Sequence, residues 1–344
     1  MTPVIPDLVS TIIPVWNRPA MLCEAVASVL AQSHTAVEVI IVDDGSTDET
    51  ASVAEELTGR HPDRVFLLRK PNSGPGPSRE AGRLAARGEF IQYLDSDDRL
   101  LPNKFADQIR ALCEHPECDI AYGITRLIDE SNTVLEEPYR WTHRQIPFVY
   151  PGLLVDRWWC THTPLYRRSL TDRIGAWSDM RWSQDWEYDA RAGGLGAKLV
   201  SCGTCVSEHR QHDGVRQTSG AAWTTDPVRL RNRLRLLKAL WNNAVLAGIG
   251  ETTCPERLHF ARWCFAIGRQ CSVQGLSTES RELFQLAEQS AGDQREALRG
   301  VGLFRWLTHA VGGRTAGRIF GLAERLKRPS AWTLSQSFAS NKRC

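Results

Sequence analysis

The chain has 344 residues, of which 42% are hydrophobic and 24% charged, and a formal net charge of +2. This is the composition of a soluble globular protein with one large domain plus an appendage, or two domains, and it excludes a disordered or fibrous chain. It also excludes a polyanion binder acting through overall charge, so nucleic acid is not an expected partner, and no run approaches the ~18 apolar residues of a transmembrane helix.

Residues 8–13 (Leu-Val-Ser-Thr-Ile-Ile) form an apolar run closed by Pro14 and predict a buried strand. Asn17 is placed to cap a helix with Pro19 in its first turn, and apolar pairs at 21/22, 25/26 and 29/30 continue the helical stripe. Val37–Val42 predicts a second strand, ending on Asp43-Asp44-Gly45-Ser46. Ser46 and Glu49 have capping-box spacing and are expected to open a helix through Leu57. Val65–Leu68 predicts a third strand. The Gly/Pro loop Asn72-Ser73-Gly74-Pro75-Gly76-Pro77 then leads to a helix over 78–87, and Phe90–Leu94 is a fourth strand, stopping on Asp95-Ser96-Asp97-Asp98. Strands alternating with helices imply βαβ units and a mostly parallel sheet, whose ligands bind at the carboxyl ends of the strands. Both acidic clusters are therefore expected on one rim. Clustered carboxylates there are costly to desolvate unless partnered, and hard oxygen donors suit Mg²⁺ or Mn²⁺.

After Pro102 a helix is expected to about Glu114, then strands over Ile120–Ile124 and Thr125–Leu135 with a turn near Ser131-Asn132. Residues 136–182 are irregular and rich in aromatics. Asp185–Ala192 reads as a helix stopped by Gly193-Gly194, and 198–206 as a strand. From Pro227 the pattern is helical almost throughout, with a boundary near 222–228. The expected division is a catalytic α/β domain over 1–222 and an all-helical region over 223–344. Charge is uneven: Val301–Cys344 carries eight Lys or Arg against Glu324 alone, leaving about −5 on the first 300 residues. There, Leu303, Phe304, Trp306, Leu307, Val311, Ile319, Phe320, Ala323 and Leu326 alternate with basic residues. One reading is an interfacial helix meeting anionic lipid; the other is a helix packed on the protein with its basic face in water.

The N-terminus, Met1-Thr2-Pro3-Val4-Ile5-Pro6-Asp7, lacks the basic and apolar regions of a secretory signal, so a cytoplasmic location is expected, or the inner face of the cell membrane if the basic helices bind lipid. The ten cysteines then read as reduced thiols. Cys202-Gly203-Thr204-Cys205 has CxxC spacing without a convincing second half of a zinc site, and is read as idle or buried thiols. Trp158, Trp159, Trp182 and Trp186 are read mainly as core, stacking on a sugar or lipid acceptor being the alternative.

Three segments together resemble a family 2 glycosyltransferase of the GT-A fold: Ser10–Arg18 with Ile41–Asp48; Gly88–Asp98 with Pro102; and Gln184-Asp185-Trp186-Glu187 with Arg191. The resemblance covers roughly 8–215 and implies a Rossmann-like, mostly parallel sheet flanked by helices. It implies an inverting transferase that uses a nucleotide-diphosphate sugar, with UDP expected, and Mn²⁺ or Mg²⁺. By the same resemblance Asp44 contacts the nucleotide base, the backbone near Pro14 lines that pocket, and Asn17 and Ser96 belong to it. Arg79 contacts the nucleotide. Asp95 sits near the ribose or sugar, Asp97 binds the metal bridging the phosphates, and Asp185 is the catalytic base. His209 and His212 lie where related enzymes sometimes place a late metal or phosphate ligand, and His212 is the candidate taken. The chain departs from the usual pattern at Gln184, Glu80 and Trp16, the first two of which bear on donor preference.

The chemistery implied is self-consistent. A cation offsets charge on the departing diphosphate, while a carboxylate on the opposite face takes the proton of the acceptor hydroxyl. Such a mechanism needs no second, nucleophilic carboxylate. The acceptor stays unspecified: a surface glycan, lipid, peptide or small molecule. The competing reading is a non-catalytic nucleotide-sugar-binding or scaffold protein of the same fold. Retention of both Asp97 and Asp185 argues against it.

Overall fold

The computed structural model describes residues 3–211 and 226–293 and, beyond them, 303–304, 307, 310–312, 315–316 and 319. These fall into two compact units. One holds residues 3–211 with Lys238–Glu256; the other holds 226–237 and the described residues from Arg257 onward. The expected boundary at 222/223 and most of the basic tail lie outside the described residues.

In the first unit, β1 (Ile5–Val15), α1 (Pro19–Leu30), β2 (Val37–Asp43), α2 (Thr50–Arg60), β3 (Val65–Arg69), α3 (Pro75–Ala85) and β4 (Gly88–Tyr93) alternate as the sequence implies. β5 (Arg99–Leu100), α4 (Lys104–Glu114), β6 (Ile120–Ile128), β7 (Val134–Glu136), β8 (Leu165–Arg167), α5 (Arg168–Ile174), α6 (Gln184–Gly194) and β9 (Leu199–Arg210) follow. The sheet order is β3-β2-β1-β4-β8-β6-β9-β5, with β7 beside β6. β3, β2, β1 and β4 are mutually parallel, in a register that sets Val15 opposite Asp43 and Ile12 opposite Tyr93. β8 runs antiparallel to both β4 and β6, whereas β6 and β9 are parallel. The expectation of a mostly parallel sheet therefore holds for the first four strands and gives way to a mixed sheet beyond them. β5 and β8, two and three residues long, are too short to leave a periodic signature.

The core forms where the continuous apolar strands meet the helical stripes. Val9, Ile13, Val39, Ile41 and Phe90 pack with Leu22, Val26 and Val29 of α1 and Phe105 and Leu112 of α4. Each such fully buried side chain contributes about 1.5–3 kcal/mol. α3 approaches β1 closely because residue 82 is glycine: a Cβ there would stand 2.4 Å from Ile12 Cγ2. Two capping expectations fail. Asn17 does not cap α1; Arg18 holds that position. α2 starts at Thr50, whose N–H is taken by Asp48 Oδ1 at 2.9 Å, because Ser46 is already engaged in the preceding turn. α3 begins three residues before the expected helix, at Pro75, where proline suits a first turn.

α7 (Pro227–Leu246) contributes its first half to the second unit and its second half to the first, where Leu240 C=O accepts the Tyr150 hydroxyl at 2.8 Å. The second unit also contains α8 (Pro255–Val273) from Arg257 onward and α9 (Ser277–Ala291). Leu230, Leu236, Phe260, Cys264, Leu283 and Ala287 are buried in this unit, and Phe284, Phe304 and Ala316 form a cluster with Phe265 and Leu307 against them. No described helix is long and apolar enough to cross a membrane.

Candidate active site at the carboxyl ends of the parallel strands

β1, β2 and β4 end on one rim because they are parallel and in register, and each delivers polar residues there. β1 ends with Pro14 and Val15, buried opposite Val42 and Asp43. Asn17 follows in a left-handed conformation (φ +53°). Its backbone N–H donates to Ser46 Oγ at 3.1 Å and its Oδ1 accepts from Thr47 N at 2.8 Å, so the side chain ties the β1 exit to the β2 exit. Gly45 makes that second turn with φ +75°, and a Cβ there would stand 2.8 Å from Asn72 N. Glycine is the residue that tolerates both conditions.

Asp44 is buried, and its carboxylate is fully employed. Lys70 Nζ donates to it at 2.6 Å, Ser73 N at 3.0 Å and Gly74 N at 2.8 Å. It thereby fixes the Gly/Pro loop and the start of α3. One turn into that helix, Arg79 donates to Asp95 and lies over the Trp177 ring at 4.9 Å. Its Nε and Nη1 are buried with no hydrogen-bond partner. A buried guanidinium with two unanswered donors is costly unless something anionic arrives.

The β4 exit folds as a turn in which Asp98 N donates to Asp95 O at 3.1 Å, with Ser96 buried inside it. The Asp95 carboxylate is 32% exposed and that of Asp97 19%, the latter paired with Arg18. Asp98, by contrast, is buried and points the other way. It faces His162 Nδ1 at 2.8 Å and His209 Nδ1 at 3.1 Å, and accepts from Arg210 N at 2.9 Å. Burial pushes its carboxyl up, but His209 and His162 outweigh that and hold it well below the usual range. His212 lies outside the described residues.

Asp185 sits in the first turn of α6, after Ser183 in a left-handed conformation. Its Oδ1 accepts from Trp186 N at 2.9 Å and its Oδ2 pairs with Arg157 at 3.0 Å. Burial raises its carboxyl, but Arg157 first and Arg79 second prevail and hold it below the ordinary carboxylate value. Arg79 thus faces acids from both directions, the strand-tip Asp95 and the helix Asp185. Arg157 also binds Asp189 Oδ2 at 2.7 Å, and Asp189 takes Trp159 Nε1 at 2.7 Å and the Tyr166 hydroxyl at 3.1 Å.

Arg79 pairs with Asp95 and acts electrostatically on Asp185, Asp97 lies in the same turn as Asp95, and Asp44 anchors the start of the helix that carries Arg79, so the five residues group around this rim. Arg157 was not singled out from sequence; it lies in the irregular aromatic segment, where no periodicity marks it. Glu80 accepts from Arg83 at 2.8 and 2.9 Å and from Trp177 N at 3.2 Å, which makes it a strut of α3. Trp16 is exposed, while Trp158, Trp159 and Trp182 are buried as core. Cys202 and Cys205 are free thiols on β9.

The carboxylates of Asp95 and Asp97 suit a hard divalent cation: both are oxygen donors, partly open to solvent, and each pairs with an arginine that a cation could replace.

Residues 10–175 match the family model described as glycosyl transferase family 2. An uncharacterized glycosyltransferase from Nostoc sp. is 35% identical over 133 residues, which is 36% of this chain and 41% of that protein. Chondroitin synthase from Escherichia coli is 34% identical over 134 residues, 39% of this chain and 19% of the synthase. The chain thus spans less than half the length of the curated relatives it matches. Among solved structures, S. aureus TarS 1-349 in complex with UDP-GlcNAc superposes with a TM-score of 0.57 at 16% identity, covering 82% of this chain and 89% of that one. The same fragment in complex with UDP gives 0.53 at 17% identity, with the same coverage. The fold is GT-A, as the sequence implies.

Proposed function

We propose that this chain, whose residues 10–175 match the family model of glycosyl transferase family 2, transfers a sugar from a nucleotide-diphosphate sugar to an acceptor nucleophile with inversion at the anomeric carbon. Residues 1–222 would carry the chemistry, and the helical region from 223 would contribute to acceptor choice. The observation that carries the proposal is the position of Arg79, bound to Asp95 at one strand tip and lowering the carboxyl of Asp185 on α6.

On this reading Asp185 accepts the proton of the attacking hydroxyl. Its lowered carboxyl keeps it ionised at neutral pH, as a base must be, and Arg157 orients it. The two unpartnered donors of Arg79 receive diphosphate oxygens. Asp44 supports the nucleotide side by holding Ser73 and Gly74 in place. Pro14, Asn17 and Ser96 shape the same pocket, and Asp95 meets the ribose or sugar. Asp97 would hold Mn²⁺ or Mg²⁺, with His212 as a further candidate ligand. The cation supplies Lewis-acid stabilisation of the departing diphosphate. A UDP-sugar is the proposed donor, supported by the UDP-GlcNAc and UDP complexes of TarS. A cytoplasmic protein, with peripheral membrane contact through the basic tail, fits an acceptor carried on lipid.

The test is nucleotide release from UDP- and GDP-sugars with Mn²⁺ across an acceptor panel. Turnover that disappears in Asp185→Asn, with nucleotide binding retained, is the expected result. Binding without turnover by the unaltered protein on every acceptor would favour a nucleotide-sugar-binding scaffold instead.

A further inference from the structure

We propose that Cys160, His162 and His209 form a binding centre for a borderline-soft transition metal of the Zn²⁺ class, oriented by Asp98 and distinct from the Asp97 carboxylate. One ligand atom from each of the three residues lies within 4.8 Å of the others. Cys160 and His162 are buried and His209 is half-buried. Neither ring nitrogen of His162 makes a hydrogen bond, although the ring is completely enclosed and its Nδ1 lies 2.8 Å from an Asp98 oxygen. A buried imidazole nitrogen is ordinarily hydrogen-bonded, and leaving one unanswered is costly unless a ligand completes it.

The surroundings are those of a prepared site. Asp98 faces the Nδ1 atoms of both histidines, at 2.8 and 3.1 Å, leaving Nε2 of each ring for another partner. A carboxylate behind an imidazole fixes ring orientation and tautomer and strengthens the opposite nitrogen as a donor. The backbone around Cys160 is fixed too. Thr163 N donates to Cys160 O at 3.0 Å, Cys160 N donates to Thr163 Oγ1 at 3.1 Å, and Gln92 Nε2 donates to His162 O at 3.1 Å. His209 is sandwiched by near-parallel rings, His162 at 5.9 Å and Tyr139 at 5.5 Å. Closing the donors to tetrahedral spacing takes side-chain movements of about 1 Å.

One thiolate and two imidazoles select Zn²⁺ over Mg²⁺ or Mn²⁺, which prefer oxygen. Three protein ligands leave a fourth position for water. Because Asp98 follows Asp97 directly, a metal here would pin the β4 exit to the 160–163 turn and to β9, holding the open carboxylates of the rim from behind. The centre is invisible as a motif: Cys160-Thr161-His162 is a bare C-x-H whose third member comes from a distant strand.

The experiment is a Co²⁺ titration of the full chain after chelator treatment. One equivalent is expected to give tetrahedral visible bands and a near-ultraviolet sulfur-to-cobalt band, both displaced by Zn²⁺. Cys160→Ser should abolish the sulfur band, and His209→Asn should weaken Co²⁺ binding about tenfold or more, each with an unchanged circular dichroism spectrum. Asp97→Asn and Cys205→Ser should leave the spectrum as in the unaltered protein. A sulfur band that survives Cys160→Ser, disappears with Cys205→Ser, or never forms stoichiometrically overturns the proposal. Should the variants not fold, the unaltered protein decides: Zn²⁺ must raise its melting temperature after chelation, and no rise overturns the proposal. None of these readouts depends on sugar transfer.

Discussion

The two faces of the β4 exit use the same residue type in opposite ways. On the open face, Asp95 and Asp97 each meet an arginine, Arg79 and Arg18, and retain solvent exposure. On the closed face, Asp98 is buried against two histidines and a backbone N–H, much as Asp189 on α6 is buried against Arg157, Trp159 and Tyr166. A carboxylate that keeps some contact with solvent loses little when it exchanges its arginine for a ligand. A buried, multiply bonded carboxylate cannot do so without leaving its partners unpaired. Function should therefore concentrate on the first kind and stability on the second, and substitutions can break that division.

The largest effect expected is on turnover. Asp185→Asn should lower kcat by about 10²–10⁴-fold, the range for loss of a general base, with a melting temperature close to that of the unaltered protein. A comparable loss of stability would place Asp185 with the structural acids. Asp189→Asn should do the reverse, costing about 3 kcal/mol in denaturant unfolding by taking away the buried carboxylate that Arg157 Nε, Trp159 Nε1 and the Tyr166 hydroxyl share. If it unfolds no more easily, the buried network is not what holds α6. Asp97→Asn should come next, reducing turnover and its Mn²⁺ dependence together by about 10²-fold, for a lost contribution of several kcal/mol to charge stabilisation, with little change in unfolding.

A finer test uses pH. Arg157 is the largest influence holding the Asp185 carboxyl below its ordinary value against burial. Arg157→Gln should therefore raise that pKa and move the acid limb of kcat/KM to higher pH; a limb that stays in place would mean another group titrates. A second pH test concerns Lys104, whose ammonium is buried and pushed down to about 7 from 10.5, with Nζ donating to Thr163 O at 2.8 Å. Between those two values the unfolded chain holds the extra proton, so stability should rise with pH across that window. Lys104→Met should flatten the rise.

Much of the rim could be read directly from the chain. The apolar runs at β1, β2 and β4 each stop on polar residues, and a parallel sheet must gather those ends on one side. That logic marks Asp44, Asp95 and Asp97, whereas Arg79 and Asp185, both on helices, follow from the family resemblance. Even so, their partners were not foreseen. Nothing local says that Asp44 would spend its oxygens on Ser73 and Gly74, or that Glu80 would brace Arg83 and Trp177.

The sequence by itself determined the alternation of strands and helices, the rim and its acids, because hydrophobic period and strand ends are local properties of the chain. Only the tertiary structure decided which carboxylate faces water and which faces protein. Asp97 and Asp98 are adjacent, and opposite sides of one turn send the first to Arg18 and the second to His162 and His209. The same holds for Arg157 and for Cys160. Their partners arrive from other strands and helices, and long-range packing, which carries no periodic trace in the sequence, brings them together.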